Sequence, residues 1–365
     1  MLEALTDLAF LSPALLVGDA SWLHDLDEVA VRLGPLPVRW YGLSYIAGFL
    51  AGWWLLTVMA KRGLLSFKAS DVGDLMTWLI VGVFVGGRVG YAALYKPSLF
   101  VDFFGDLPFW GLLAVNKGGM ASHGGMVGVI LAAWLFARSR KVPLAHVLDG
   151  LALVAPIGLM FGRLANFVNG ELLGKVVAKP GEAGPWWAVR YPKEMIERGL
   201  EHERLFDEAG YTRYVEFVSG SVRSNEFGQP HWFEIGIDRV IRRIQSGDAD
   251  MQARALEFLS ARHPSQLYQA FAEGVVVFCV VWMVARKRVR AGVIAGWFLI
   301  AYGVGRVVTE LYRLPDAHLE VARVIGLSRG QWLSVGMVVV GVVMLLFALR
   351  GKGEMKSGGW SEKTQ

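Results

Sequence analysis

Residues 161–174 read Phe161-Gly162-Arg163-Leu164-Ala165-Asn166-Phe167-Val168-Asn169-Gly170-Glu171-Leu172-Leu173-Gly174, the end of an apolar run that begins near Leu148. Hydrocarbon does not tolerate such groups cheaply, yet an arginine, two asparagines and a carboxylate arrive between Arg163 and Glu171. On a helix, Arg163, Asn166 and Asn169 recur at i, i+3 and i+6 and share one face, with Glu171 just beyond. Polar groups collected in this way mark a site, not the plain end of a span.

Composition supports a membrane setting. Of 365 residues, 54% are hydrophobic and only 19% charged, and the mean hydropathy is +0.41, too apolar for an ordinary soluble domain. The 14 tryptophans suit a membrane–water interface. The single cysteine, Cys279, lies in the apolar run Gly274 to Ala285, so no internal disulfide is possible and a structural thiol is expected.

Seven apolar stretches are long enough to be read as spans: about 40–60, 75–95, 119–137, 148–167, 266–285, 292–312 and 331–349. Before them, Leu8 to Val17 is mildly apolar but lacks a basic leader, and it is expected to lie at the interface. The short connections concentrate their basic residues on one side: Lys61, Arg62 and Lys68; Arg138, Arg140 and Lys141; Arg286, Lys287, Arg288 and Arg290; then Arg350, Lys352 and Lys356. The positive-inside rule puts these in the cytoplasm and leaves the N-terminus outside. The expectation is an all-α integral membrane protein with seven transmembrane helices. Its parts are an outer N-terminal segment (1–39), spans one to four with the signature (40–174), an extramembrane, periplasmic head (175–262), spans five to seven (263–350) and a polar cytoplasmic tail (351–365). Within the head, Ile196 to Ala209 and Ile235 to Ile244 are expected as amphipathic helices.

The charges inside the spans carry the functional argument. A mid-span arginine costs roughly 2.5 to 3.5 kcal/mol on insertion scales, so it normally faces the bundle interior and pairs. Arg88, in Gly86-Gly87-Arg88-Val89-Gly90, fits a helix-packing clamp on backbone carbonyls and a substrate contact equally well. Tyr302, Arg306 and Glu310 are spaced i, i+4, i+8 on one face. A buried ion pair seldom stabilises more than apolar residues would, which favours function there. His123, flanked by Gly118-Gly119 and Gly124-Gly125, can carry a proton near neutral pH where glycines leave room for a ligand. Tyr41 and Tyr45 could be belt aromatics or could hydrogen-bond an anion at the outer rim. Arg262-His263-Pro264-Ser265-Gln266-Leu267-Tyr268 reads most simply as a structural helix start, with Ser265 or Gln266 meeting free amides. No Gly-x-Ser-x-Gly elbow, HExxH, Walker loop or Cys/His ligand set is present, so no covalent nucleophile or metal of the chain's own is expected.

Trp40-Tyr41-Gly42, Gly86-Gly87-Arg88, His123-Gly124-Gly125, the Gly162 to Gly174 signature, Arg262 to Tyr268, and Gly305-Arg306 with Glu310 together resemble bacterial prolipoprotein diacylglyceryl transferase, in order and over nearly the whole chain. That resemblance implies a cofactor-free enzyme of the bacterial inner membrane. It would move diacylglycerol from phosphatidylglycerol to the lipobox cysteine of a prolipoprotein signal peptide, making a thioether and releasing glycerol phosphate, with no nucleic-acid partner. It also implies functional positions at Tyr41, His123, Arg163, Asn166, Glu171, Gly174, Arg306 and Glu310. With the residue reading beside it, His123, Arg163, Arg306 and Glu310 are the catalytic candidates. Tyr41, Arg88, Asn166, Asn169, Glu171 and Gly174 are the substrate-binding ones. The long 175–262 segment departs from the compact family pattern. A rival reading from another class is a transporter or flippase for anionic lipids or solutes, its path lined by Arg88, Arg163 and Arg306; a membrane scaffold is the blandest reading.

Overall fold

The computed structural model describes residues 18–34, 36–105, 108–114, 118–197, 199–314, 328–350 and 356–359. The Leu8 to Val17 stretch, most of the connection before Gly330 and most of the polar tail fall outside them.

Long helices occupy each expected apolar stretch. They are α1 Trp40–Lys61, α2 Val72–Leu94, α3 Ser122–Arg140 and α4 Leu144–Val168. In the 175–262 segment come α5 Glu208–Ser219, α6 Trp232–Gln245 and α7 Ala249–Ala255. After it come α8 Ser265–Ala285, α9 Val293–Thr309 and α10 Gly330–Arg350. Five of these, α1, α2, α4, α8 and α10, are long and apolar enough to cross a membrane. Of the others, α9 is apolar but has only 17 residues, and α3 ends in Arg138 and Arg140. In α10 only 11% of the most apolar window is buried. A helix so apolar and so little covered by protein needs hydrocarbon around it. Cys279 is a free thiol exposed on α8; its surroundings are apolar because of the helix's composition, not because protein covers it.

The chain is not wholly α. Short strands β1 Trp22–Leu23, β2 Val29–Leu33, β3 Leu36–Arg39, β4 Val176–Ala178, β5 Val189–Arg190, β6 Ala261–Arg262, β7 Arg288–Arg290 and β8 Lys356–Gly358 punctuate the helices. Contacts divide the chain into two compact units: Met1–Ile46, Leu159–Gly274 and Gly303–Val335 in one, and Ala47–Gly158, Val275–Tyr302 and Gly336–Gln365 in the other.

The second unit has a core of Leu56, Met59, Leu75, Phe136, Val147, Leu153, Val281 and Ile294. Its closest helix pair is α2 with α3, where glycines face glycines. A Cβ on Gly82 would lie 2.5 Å from the Gly128 carbonyl, and one on Gly90 2.6 Å from the Gly124 Cα. Small residues at this spacing let two backbones meet, the usual solution where no water drives helices together. The buried Asp149 carboxylate accepts from the amides of Gly292 and Ala295, both at 2.8 Å, and so caps the start of α9.

In the first unit a four-stranded sheet runs in the order β1-β5-β6-β4, with β1 parallel to β5 and the other pairs antiparallel. Beside it, Tyr214, Phe217 and Val218 of α5, Ile237, Val240, Ile241 and Ile244 of α6, and Met251 and Ala255 of α7 bury a common core. The Ile235 to Ile244 expectation is realised in α6, whose buried residues recur at helical spacing. Ile196 to Ala209 does not form one helix. It breaks into short turns, Glu194–Glu197 and Gly199–Glu203, before Asp207 accepts from the Gly210 amide and starts α5 afresh.

The candidate site

The signature helix α4 ends by turning sharply. Gly170 and Leu172 both take positive φ, 63° and 59°; for a leucine that conformation is strained and has to be held by its surroundings. What holds it is the 262–268 segment. Ser265 Oγ donates to the Leu172 carbonyl at 3.0 Å, the Gln266 side-chain amide donates to the Glu171 carbonyl, and Arg262 Nη1 donates to the Gly174 carbonyl at 3.1 Å. Gln266 is itself fixed by Tyr191, whose hydroxyl donates to Oε1 at 3.1 Å. Ser265 and Gln266 therefore satisfy the carbonyls of the signature turn; the sequence reading had them serving free amides at their own helix start. Arg262 is anchored in turn on Glu194, which is fully buried and also accepts from the Ser260 amide at 2.6 Å. Burial opposes the Glu194 charge, but the Arg262 guanidinium, His202 and the Ser260 amide outweigh it and hold the carboxyl below its usual range.

Arg163 and Asn166 on α4, and Asn169 just past its end, meet three different partners. Asn166 donates from Nδ2 to the Tyr41 hydroxyl at 3.1 Å, and Asn169 donates to Glu171 Oε1 at 3.2 Å. Arg163 turns to Glu273: Nε and Nη2 each lie 3.0 Å from Oε2. The other oxygen of Glu273, Oε1, lies 3.6 Å from Arg306 Nη1. Arg306 Nη2 in turn is 3.0 Å from Glu310 Oε2, and Glu310 Oε1 accepts from Ser328 Oγ at 3.3 Å. Two arginines and two carboxylates thus form one chain, with Glu273 fully buried and the guanidinium side chains 17% and 13% exposed. Each guanidinium side chain thus keeps some exposed surface. Beside Glu171 a groove of about 730 Å³ opens, with Glu28, Lys193, Asp238 and Arg242 on its walls.

Glu273 was not among the candidates read from sequence. Its signal was available, since it is the only acid of α8, and an ionisable residue inside an apolar span is a functional candidate by default. Its placement depends on a π-helical turn, Ala270–Val276, that interrupts α8; such turns insert one residue and re-aim the side chains around it.

Tyr41, Arg163, Asn166, Asn169, Glu171, Gly174, Arg306 and Glu310 all belong to the first unit; Arg88 and His123 belong to the second. Arg88 is buried, and its N–H groups go to backbone carbonyls: Nε to Leu112 at 2.8 Å, Nη1 to Gly118 and, at 2.8 Å, to Gly119, and Nη2 to Gly111 at 2.7 Å and Ala114 at 3.0 Å. A guanidinium has five N–H donors, and this one directs all five into the loop ahead of α3. His123 is exposed at the start of α3, at the edge of an apolar crevice of about 500 Å³ between α2 and α3 that includes Trp78, Val85 and Leu131.

Among the described residues no group of three or more His, Cys, Asp or Glu is arranged to hold a metal. The family model for prolipoprotein diacylglyceryl transferase matches residues 28–347. Relatives named phosphatidylglycerol–prolipoprotein diacylglyceryl transferase include one from Bdellovibrio bacteriovorus, 38% identical over 93% of this chain and 97% of its own length. Another is from Neisseria gonorrhoeae, 36% identical over 88% and 95%, and a third from Rhodospirillum rubrum, 35% identical over 92% and 96%. With a match that runs nearly end to end in both directions, the chain belongs to the prolipoprotein diacylglyceryl transferase family.

Proposed function

We propose that this chain transfers the diacylglyceryl group of phosphatidylglycerol to the lipobox cysteine of a prolipoprotein. The sulfur–carbon thioether bond forms as the glyceryl carbon–oxygen bond breaks; glycerol phosphate leaves with the bonding electron pair, and the thiol proton goes to a base. The observation that carries the chemistry is the pair of partly accessible arginines, Arg163 and Arg306, joined through Glu273. The phosphate goes from one negative charge to two as the bond breaks, and preorganised guanidinium groups in a water-poor site stabilise that change. The rival transporter reading uses the same arginines, and family membership favours the transferase.

In this reading Glu310 holds Arg306, Asn166 and Tyr41 meet the head group, and Asn169 orients Glu171. The groove beside Glu171 receives the polar peptide that follows the lipobox cysteine. Gly174 keeps the signature turn against 262–268. Arg88, with its donors already spent on carbonyls, holds the loop that presents His123 and does not touch the phosphate. His123 takes the thiol proton. A free thiol has a pKa near 8.5 and is only a few per cent thiolate at neutral pH, so a base or a positive field speeds attack. We place all seven long helices across the inner membrane, with the basic connections and C-terminus in the cytoplasm and the 1–39 and 175–262 segments outside, the latter as a periplasmic head. The phosphatidylglycerol donor then reaches the site without leaving the bilayer.

Mass spectrometry of a lipobox peptide incubated with purified protein and phosphatidylglycerol tests the reading. A diacylglyceryl mass gain on cysteine that Arg163→Ala and Arg306→Ala abolish is the expected result. Well-folded wild-type protein that yields no such product with several peptides and donor lipids refutes it.

A further inference from the structure

We propose that Glu273 is the positioning residue of the anion site: it sets the spacing of Arg163 and Arg306 and balances their charge until the donor phosphate replaces it as their partner. The proposal rests on the transferase reading. Glu273 gives one oxygen to each arginine, Oε2 to Arg163 and Oε1 toward Arg306, so one carboxylate fixes the separation of two groups that would otherwise repel. Three backbones converge to allow it. A Cβ on Gly274 would lie 2.6 Å from the Met160 Cβ, so the π-helical turn sits directly on α4 one turn ahead of Arg163. Gly305, beside Arg306, brings α9 within 3.6 Å of the Ala272 carbonyl by the same measure. The π-helical turn then aims Glu273 between them.

Stability does not account for this arrangement. A fully buried carboxylate shared by two arginines costs more desolvation than an apolar side chain of similar size, and such groups rarely add net stability. The network also carries two positive and two negative charges, so the site is formally neutral before substrate arrives. A phosphate gaining charge as its ester bond breaks competes with Glu273 for the same N–H groups. Glu273 therefore holds the arginines ready and also limits how tightly the product is retained.

The test uses the full chain in mixed micelles, with Glu273→Gln and Glu273→Asp beside wild type. Thioether formation is followed against phosphatidylglycerol concentration, with glycerol phosphate added as product inhibitor. Glu273→Gln keeps the shape and removes the charge. It should lower kcat by about 10²-fold, the usual consequence of catalytic groups displaced by an ångström, and make glycerol phosphate a several-fold stronger inhibitor because the site gains positive charge. Glu273→Asp keeps the charge and shortens the reach: kcat should fall while product inhibition stays at the wild-type level. A purely structural role reduces the folded fraction and leaves the inhibition constant of the folded protein unchanged, which would overturn the proposal. So would kcat within about threefold of wild type in both variants. If Glu273→Gln does not fold, Glu273→Asp decides alone, and wild-type kcat there refutes the role. Absence of thioether product in the wild type is a separate outcome and refutes the transferase reading itself.

Discussion

Gly174→Ala tests the signature turn with a single methyl group. The usual explanation for an indispensable glycine, a positive φ, does not apply, because the positive-φ glycines nearby include Gly170 and not Gly174. Space is the constraint. A Cβ at position 174 would run into the His263 carbonyl and lie 2.9 Å from the His263 Cβ. Neither can retreat easily: the His263 amide donates to the Lys175 carbonyl at 3.0 Å, the His263 carbonyl accepts from the Ser265 amide at 2.8 Å, and residue 174 is bridged to Arg313 on its other side. Relief requires the two backbones to part by on the order of 1 Å. Overpacking of this kind costs about 1 to 3 kcal/mol of stability, and a shift of that size at a reacting centre costs roughly 10²-fold in rate. The shift would pass directly to Glu171 and Leu172, which Gln266 and Ser265 hold from the same segment. The assay is the initial rate of thioether formation by mass spectrometry, with the thermal midpoint in detergent measured alongside. Gly174→Ala should remain folded at low temperature and lose about two orders of magnitude in kcat. A rate within about threefold of wild type would refute the steric argument.

Gly86→Ala would put a Cβ 2.8 Å from the Gly128 Cα, whereas Gly42→Ala meets nothing within 4 Å. The first should destabilise by about 1 to 3 kcal/mol and the second leave stability unchanged or raise it by roughly 0.5 to 1 kcal/mol; equal thermal midpoints would show that α2 and α3 do not need their close approach. His123→Gln should slow transfer by roughly 10²- to 10⁴-fold at neutral pH if the imidazole is the base, and part of the loss should return as pH rises toward the thiol pKa. A pH–rate profile parallel to wild type removes His123 from proton transfer. His24 is buried beside Phe167 and Tyr191, and burial holds its imidazole below the ordinary value of 6.5. The unfolded chain then binds the proton more readily, so this contribution to stability is present above pH 6.5 and drains away as pH falls. Thermal midpoints should drop between neutral and mildly acidic buffer, and His24→Phe should flatten that dependence; an unchanged slope would assign it to other groups.

The helical layout was legible because hydrocarbon imposes length and apolarity residue by residue. Each expected apolar stretch carries a helix, and α6 buries the face its periodicity marked. What the pattern could not supply was anything decided by a partner distant in sequence. Arg88 read equally well as a packing clamp and as a substrate contact, and its donors meet the carbonyls of Leu112, Gly111, Ala114, Gly118 and Gly119. Those partners lie more than twenty residues on, and no local motif contains them. The Ile196 to Ala209 stretch failed for the opposite reason: its apolar residues suggested one helix, while the Asp207 cap ended that possibility at a single side chain.

Glu273 shows why a site can be half visible. Arg163, Asn166, Asn169 and Glu171 stand close in sequence and announced themselves by density, whereas Glu273 is one acid alone among apolar neighbours, more than a hundred positions from the arginine it binds. Even its face on the helix could not be read at a period of 3.6, because the π-helical turn changes the count within α8. Yet the cost of an unpaired carboxylate in hydrocarbon guarantees that such a residue has a partner. Arg306 has Glu310 at i+4, whereas the helix that carries Glu273 holds no basic residue of its own, so its partner has to come from an arginine of another span. Pairing the unmatched intramembrane charges of a sequence before consulting its fold would have placed Glu273 at the centre of the network, where the backbones of α4, α8 and α9 put it.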